Sequence, residues 1–410
     1  MGYAALYANT TASNNTAVGS SALLSNTTGT ANVAVGSLSL DANTTGGSLT
    51  AVGYKALSSS LTDIDTVGIG TNAGQNATSS YSTIVGSQAN GAGAMTGDSN
   101  SYFGYVSGYA NTSGANNTGI GTNALKLSTT GTQNTAVGHN ALTSNTTASN
   151  NTAVGYNVLT SNTTGHSNVG IGQFSLDANT TGLANTALGH NALTVSTTAS
   201  SNTALGFNSG SGITTGVSNT LVGRDTATNL TDGNYNVMIG QSVHVSGTGN
   251  DNAIGIGHNF SVDSNNFSFG KASNVVTCDF DVDATFTRSS DLHKKTNIKD
   301  TDIGLSFINE LKTVTFNWKP NSEFPKNYDD YSETENNMNT KINMYGMIAQ
   351  DVEQALDKVG HKNFGGWKVN SDGSQKLAQG MFIYPLINAV KELSTQVDEL
   401  KAEITTLKGE

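Results

Sequence analysis

Cysteines and paired carboxylates, which form many active sites, are scarce in this sequence. Cys278 is its single cysteine, which excludes a disulfide framework and a cysteine-rich metal site. Enzymes that cut polysaccharides use pairs of carboxylates, but residues 1–270 contain no glutamate and only scattered aspartates such as Asp63 and Asp65. Those aspartates fit turn positions. We therefore expect no cofactor, no bound metal and no hydrolysis of a glycan by this part of the chain.

The two parts of the chain differ in composition, with the change near residue 270. Only 12% of all residues are charged and the net charge is −11, while every glutamate and all three prolines lie after residue 270. Neither part has the basic excess of a nucleic-acid-binding protein. No run of 18 apolar residues is present to insert into a membrane. The first residues lack the basic and apolar regions of a secretory signal.

A seventeen-residue repeat dominates the first part. The sequence Asn-Thr-Ala-Val-Gly at residues 15–19 returns at 134–138 and 151–155. Its final glycine recurs in 16 copies at this constant spacing, with two exceptions. The step from Gly70 to Gly86 is one residue shorter, and the step from Gly86 to Gly104 is one residue longer. A single unit is too short to form a core alone, so neighbouring copies must stack and share one.

Each copy has the pattern of one short strand and two turns. A small residue two positions before the glycine and a Val, Ile or Leu directly before it alternate with period 2, as in a strand. The glycine allows a positive φ, and a leucine follows four residues later in nine copies. The pattern predicts a mostly β fold, a parallel β-solenoid or β-roll. Its thin core of Val, Ala and Leu favours an oligomer.

Asparagine stands four residues before the glycine in 11 of the 15 complete copies. In a stacked solenoid these side chains lie above one another and can hydrogen-bond as an Asn ladder. Asparagines that only form turns are the alternative, and both interpretations can hold together. The 16 coils, at roughly 4.8 Å each, predict a rod about 75 Å long.

The repeats resemble the heads of trimeric autotransporter adhesins, whose N-S-V-A-I-G coils form a left-handed parallel β-roll trimer. The resemblance covers residues 1–257, although the unit here is longer. It implies a homotrimer. The sequence shows neither the signal peptide nor the membrane-anchoring strands of those adhesins, which indicates a related fibre of another origin.

Four motifs follow in the second part. In order, they are Ser289-Ser290-Asp291 through Asn297-Ile298, Phe316-Asn317-Trp318-Lys319, Gly346-Met347-Ile348-Ala349-Gln350, and Ala389-Val390-Lys391-Glu392-Leu393 in a closing helix. Together they resemble the C-terminal intramolecular chaperone domain of phage tailspikes and tail fibres, including endosialidases, over residues 289–410. The resemblance implies an α+β chaperone that trimerises, helps the upstream fibre to fold and then cuts itself off.

The resemblance also implies the cleavage chemistry. It places the scissile bond between Ser289 and Ser290 and makes Ser290 and Lys295 a catalytic dyad for a single-turnover autoproteolysis. The supporting motif residues are Asp291, Asn297, Gly346 and Gln350. A lysine takes a serine proton only if desolvation or a neighbouring cation lowers its pKa, and trimer assembly would provide that burial. Alternatively, Ser290 and Lys295 are surface residues of a chaperone that no longer cuts.

Apolar residues recur at alternating spacings of four and three in the last segment: Leu386, Val390, Leu393, Val397, Leu400, Ile404 and Leu407. This is an a/d seam of about three heptads. β-Branched residues at a with Leu at d favour dimers in isolated coiled coils. We favour the trimer that the resemblance implies, because a short seam attached to a larger assembly does not choose its own stoichiometry.

These patterns divide the chain into four segments. Residues 1–262 form the solenoid, 263–289 a β-strand neck, 290–382 the chaperone autoprotease domain and 383–410 the coiled-coil helix. Cys278 lies on the apolar side of an alternating strand in the neck, where we expect it to be a buried small hydrophobe.

We interpret the protein as a phage tail fibre, made in the host cytoplasm and built into the virion with other tail proteins, that binds a host-cell receptor such as a glycan. Tyr102, Tyr105 and Tyr109 are the candidate receptor contacts, since they lie in residues 70–110, where the leucine pattern breaks. A second break covers residues 206–261. Aromatics that only fill a thin core are one alternative. A purely structural or ice-binding-like solenoid or adhesin with an inactive chaperone tail is another.

Overall fold

The computed structural model describes residues 2–281, 283–288, 295–334, 338 and 340–409, with the backbone alone for 283–288. The chain divides into two compact units, residues 1–289 and residues 290–410. The first is built of strands, and the second combines helices with small sheets. Among the described residues, none of the helices has the length and apolar character needed to cross a lipid bilayer.

In the first unit each coil contributes one strand to a single sheet. The first 13 strands have three residues each: β1 (Thr16–Val18), β2 (Val33–Val35), β3 (Thr50–Val52), β4 (Val67–Ile69), β5 (Thr83–Val85), β6 (Ser101–Phe103), β7 (Thr118–Ile120), β8 (Thr135–Val137), β9 (Thr152–Val154), β10 (Val169–Ile171), β11 (Thr186–Leu188), β12 (Thr203–Leu205) and β13 (Thr220–Val222). The parallel stack continues through β14 (Val237–Val245), β15 (Ile254–Val262) and β16 (Asn266–Lys271). β17 (Asn274–Asp279) and β18 (Asp283–Arg288) then add antiparallel to it.

Consecutive strands pair at the period of the sequence. Thr16 lies beside Val33, which occupies the same position one repeat later. The step becomes one residue shorter from Val67 to Thr83 and one residue longer from Thr83 to Ser101, so the sheet absorbs the irregular spacing around Gly86. The predicted parallel β-solenoid of seventeen-residue repeats is confirmed.

The core of the stack consists mainly of alanine, leucine and asparagine. The residue two positions before the glycine is buried, and so is the leucine four positions after it, except at Leu6 in the first coil. Ala34 and Leu40 are fully buried examples. The residue directly before the glycine points outward, so that Val18 is 49% exposed and Ile120 is 42% exposed. The prediction that these valines belong to the core is wrong. Period 2 sends alternate residues to opposite faces, and the alanine occupies the inward one.

The corners of each coil use a left-handed backbone. Gly19 has a φ of 137°, and a Cβ on it would lie 2.5 Å from the carbonyl oxygen of Gly36 in the next coil, so this position requires glycine. The buried leucines are also left-handed, with φ of 51° at both Leu23 and Leu40. That conformation costs an L-residue about 1–2 kcal/mol. Burial of the leucine side chain contributes about 1.5–3 kcal/mol and offsets the cost.

The asparagines four residues before the glycines form the expected ladder. Oδ1 of Asn151 accepts the N–H of Asn168 at 2.9 Å, and Nδ2 of Asn151 donates to the carbonyl oxygen of Gly165 at 3.0 Å. Equivalent pairs of bonds occur at every asparagine of this column from Asn100 to Asn236. A second ladder, which the sequence reasoning missed, joins Asn26 to Asn43 and Asn145 to Asn162 and Asn179.

Where the leucine is missing, a larger strand residue fills the core. Gly74 and Gly108 stand in the leucine position, and Ile84 and Tyr102, which lie in strands, are fully buried. A Cβ on Gly108 would be 2.5 Å from the Tyr102 ring. In residues 70–110, the break in the leucine pattern is therefore an exchange of side-chain volume between the turn and the strand.

The second unit contains three helices and two small antiparallel sheets in its described ranges. The helices are α1 (Leu305–Glu310), α2 (Ala349–Lys358) and α3 (Ile383–Lys408). The sheets pair β19 (Val314–Phe316) with β20 (Met344–Gly346), and β21 (Trp367–Val369) with β22 (Gln375–Leu377). Phe307 is fully buried at the centre of their core. The apolar seam of α3 is exposed in the single chain, from 45% at Leu393 to 86% at Leu407.

Candidate functional site

The predicted cleavage site lies where the two compact units meet along the sequence. Ser289, Ser290 and Asp291 lie outside the described residues, so the pairing of Ser290 with Lys295 stays a prediction. Lys295 and Asn297 are described and exposed. Asn297 has a φ of 53°, a left-handed conformation that asparagine adopts more readily than most residues.

Two side chains of α3 hold the segment that follows Lys295. Nδ2 of Asn388 donates to the carbonyl oxygens of Thr301 and Ile303 at 2.9 and 3.2 Å. Oε2 of Glu392 accepts the N–H of Leu305, the first residue of α1, at 3.0 Å. α1 has no acidic residue in its first turn and no side-chain cap of its own. Glu392 therefore supplies from another helix the negative charge and the acceptor that a helix N-terminus favours.

The same segment is also anchored to the core of the second unit. Oδ1 of Asp302 lies 3.6 Å from Nε2 of His361, and Ile303 is buried next to Phe307. The Phe307 ring contacts the rings of Phe364 and Phe382, with centroids 5.7 and 6.2 Å apart. The chain is thus fixed at several points shortly after Lys295.

Two further motif residues lie on neighbouring elements. Gly346 ends β20 opposite Val314. A Cβ on it would lie 3.3 Å from the Phe316 ring, so close packing against this ring favours a small residue there. Gln350 is exposed in the first turn of α2. Met347, which follows Gly346, packs against the core of the unit.

The three candidate receptor tyrosines lie in different environments. Tyr102 is fully buried, its hydroxyl lies 3.4 Å from Oδ1 of Asn100, and burial raises the pKa of its phenol. A buried ring offers no face to a sugar, so the prediction of a receptor contact at Tyr102 is wrong and the space-filling alternative explains it. Tyr105 is 54% exposed and Tyr109 is half-buried. A receptor contact at those two residues stays a prediction.

A surface row of aromatic rings was missed by the sequence reasoning. It runs through five consecutive coils at His139, Tyr156, Phe174, His190 and Phe207, with ring centroids 5.2 to 6.1 Å apart. The first pair and the last pair are stacked, with interplanar angles of 12° and 10°. The two middle pairs, Tyr156–Phe174 and Phe174–His190, meet edge to face. In the two stacked pairs, contact between coils covers one of the faces that a sugar would need. The sequence signal is an aromatic residue one or two positions after the glycine of successive coils.

Other candidate chemistry in the described ranges is sparse. No three His, Cys, Asp or Glu side chains cluster there as metal ligands, and Cys278 is a buried free thiol. Asp63 is buried, and this burial raises the pKa of its carboxyl.

One segment of the chain matches a known family. Residues 290–361 match the model of the peptidase S74 family, described as the chaperone of endosialidase. The match begins at Ser290 and includes Lys295, β19, β20 and α2. No curated protein and no solved structure is significantly similar to the chain. The chain therefore carries, after its β-solenoid, the chaperone-of-endosialidase domain that the motifs indicated.

Proposed function

We propose that the protein is a trimeric phage tail fibre whose C-terminal domain directs trimerisation and folding and then releases itself by cleavage between Ser289 and Ser290. The observation that carries the proposal is the family match, which begins at Ser290, two residues after the last strand of the solenoid unit. A chaperone at this position follows a long stack of coils that share one sequence pattern. Copies of such a chain can pair in several registers.

Outward apolar side chains support the trimer. We call the residues directly before the glycines, one per coil, the outer column; examples are Val35, 36% exposed, and Leu205, 43% exposed. Extended apolar stripes of this kind on a single chain mark interaction surfaces. The column repeats once per coil, so only a partner with the same repeat can cover it along its length. Another copy of this chain, aligned side by side, is that partner.

The repeat also explains why assembly would need a chaperone. Shifting one chain by a whole coil brings nearly the same outer column against its neighbour, so the rod specifies its register weakly. The seam of α3 is not repeated elsewhere and can join the three chains in a single register. If the seam assembles first, the three chains start in one register, and the coils that precede the domain in sequence can then pair in order.

Cleavage would proceed by attack of a serine on its own peptide bond. Oγ of Ser290 attacks the carbonyl carbon of Ser289 while the Lys295 amine takes the hydroxyl proton. The C–N bond breaks, and the proton goes to the nitrogen of Ser290, which becomes a free amine. Water then hydrolyses the ester between the Ser289 carbonyl and Oγ. The products are a carboxylate at Ser289 and a regenerated Ser290 hydroxyl at the start of the released domain.

The test is expression of the full chain followed by a denaturing gel and native mass spectrometry. We expect the wild type to yield trimers and two fragments, residues 1–289 and 290–410. Ser290→Ala and Lys295→Ala should remain whole but trimeric. Ser289→Ala is the matched control, because it changes the residue before the bond and keeps the nucleophile. A full-length wild type, or a cleaved Ser290→Ala, would refute the cleavage.

Host attachment is the remaining part of the proposal. Enzymatic tailspikes need carboxylate pairs, which the solenoid sequence does not suggest, so the fibre would bind a surface glycan without cutting it. A glycan array with trimeric protein tests this. Tyr105→Ala should reduce binding if the break at residues 70–110 forms the site, whereas Tyr156→Ala, a similarly exposed aromatic in the stacked row, should not. Equal binding by both variants and the wild type would place the site elsewhere.

An ice-binding-like rod is the second candidate. Threonine occupies the position three residues before the glycine in many coils, for example Thr135 and Thr152, and it points outward beside the outer column. The outer column beside these threonines is apolar. The strand face that points outward therefore carries a single row of hydroxyl groups. A trimer would bury that face, so measurable thermal hysteresis by the trimeric protein would favour this candidate over a tail fibre.

A further inference from the structure

We infer that Asn388 and Glu392 are positioning residues for the autocleavage, because they fasten the chain just after the Ser290/Lys295 segment to the outer side of the trimerisation helix. The inference rests on the proposed function. It concerns side chains that lie beyond residue 361, where the family match ends. It therefore assigns a role in cleavage to a helix that the matched segment does not contain.

The contacts define a clamp between α3 and residues 301–305. Asn388 holds the carbonyl oxygens of Thr301 and Ile303, and Glu392 holds the N–H of Leu305. A Cβ on Gly304 would overlap the Glu392 carboxylate and lie 3.3 Å from Cβ of Asn388, so the turn is in close contact with both side chains. Three backbone groups of one short turn are thus bound by two side chains one helical turn apart.

The heptad places the clamp and the seam on different sides of one helix. With Val390, Val397 and Ile404 at a and the leucines at d, Asn388 takes an f position and Glu392 a c position. Positions c and f point away from the seam of a coiled coil. When the seam packs against the other copies, α3 becomes fixed. The hydrogen bonds of the clamp then fix the position of Thr301 as well. Thr301 is only six residues from Lys295.

Through the clamp, trimer assembly can affect how the dyad residues Ser290 and Lys295 are positioned. Misplacing a reacting group by about 1 Å can cost about a hundredfold in rate. If the clamp opens, the turn keeps only the Asp302–His361 contact and the burial of Ile303, so the chain that leads back to Lys295 is held less tightly while the seam and the Phe307 core stay intact. We therefore expect loss of the clamp to slow cleavage while trimers still form.

The experiment is a pulse-chase measurement of the first-order cleavage rate in the full chain, with trimer content and the melting temperature measured in parallel. Glu392→Ala and Asn388→Ala should form trimers but cleave about tenfold or more slowly. Glu392→Gln keeps an oxygen that can accept from Leu305 and should restore most of the rate. Glu399→Ala is the matched control, because Glu399 occupies the same heptad position one heptad later and is exposed. It should cleave like the wild type.

Each outcome has a defined meaning. A wild-type rate in both Glu392→Ala and Asn388→Ala would overturn the inference, as would loss of trimers in both, which would make the clamp a folding element. A slow Glu392→Gln would also contradict it, because the proposed contact would be intact. Failure of the proposed function looks different: the wild type would stay whole, or Ser290→Ala would cleave.

Discussion

Removing one amide from the Asn ladder should weaken the solenoid by a predictable amount. In Asn151→Ala, the N–H of Asn168 loses its acceptor at 2.9 Å inside the stack. An unsatisfied buried donor costs about 1–3 kcal/mol. The carbonyl oxygen of Gly165 also loses a bond but keeps the one from Nδ2 of Asn162 at 2.9 Å. That loss therefore costs only the net value of a hydrogen bond, about 0.5–1.5 kcal/mol.

The sum is about 1.5–4.5 kcal/mol per chain. The chain itself supplies a milder substitution, because Ser82 stands in the same column and its Oγ lies 3.2 Å from the backbone nitrogen of Asn100. Asn151→Ser should therefore keep the acceptor for Asn168 and lose less stability than Asn151→Ala. Thr164→Ala, at an exposed position of the same coil, is the control and should change little.

The assay is thermal unfolding followed by circular dichroism, with hydrogen exchange at the Asn168 amide as a local measure. We expect the melting temperature to fall in the order wild type, Asn151→Ser, Asn151→Ala, and the Asn168 amide to exchange faster in the alanine variant. If Asn151→Ala melts like Thr164→Ala, the ladder does not stabilise the rod. If serine is no better than alanine, the lost acceptor is not the cause.

Three further predictions concern the solenoid. Gly121→Ala should cost about 1–3 kcal/mol in thermal melts, because a new Cβ would lie 2.5 Å from the carbonyl oxygen of Gly138; a loss no larger than that of Thr164→Ala would contradict this. Because burial raises the pKa of Asp63 above its usual 3.8, the ionised carboxylate destabilises the fold. Asp63→Asn should then raise the melting temperature at neutral pH and give no gain well below pH 3.8, where the carboxyl is protonated in both folded and unfolded chains. A melting temperature that is unchanged at neutral pH would contradict this. Ile120→Glu should lower the melting temperature of the trimeric solenoid by placing a carboxylate on the outer column of each copy, while Thr130→Glu, exposed outside the strands, should leave it unchanged; an unchanged melting temperature for Ile120→Glu would show that this coil lies outside the interface.

The sequence predicted those features of the rod that local geometry dictates. The positive φ at Gly19 and the stacking of Asn151 follow from one coil repeating on another, so their spacing was sufficient. The direction of Val18 was not predictable in the same way. Alternation shows that Ala17 and Val18 face opposite sides, but hydrophobicity alone favours the larger residue inside. In most coils a large interior side chain instead comes from the leucine of the turn, as at Leu23 and Leu40.

The candidate site was less accessible to such reasoning. The dyad was inferred from motifs, and no short-range pattern connects Glu392 with Leu305 or Asn388 with Thr301, which lie 87 residues apart along the chain. Contacts between residues so far apart in sequence depend on how the helices pack. They produce no repeating pattern of residues from which they could be predicted. The left-handed φ of Leu23 was hidden for a related reason, because burial overrides the ordinary preference of leucine.

The in-register stacking of the coils also bears on how such a rod could change its length over generations. Residues 134–138 and 151–155 are identical in sequence, and Thr135 pairs directly with Thr152. Recombination between the gene segments that encode two such coils would insert or delete one whole coil. The reading frame, both asparagine ladders and the outer column would all continue across the new junction. The rod could therefore lengthen or shorten in steps of about 4.8 Å, giving related fibres of different reach without any change to the domain that assembles them.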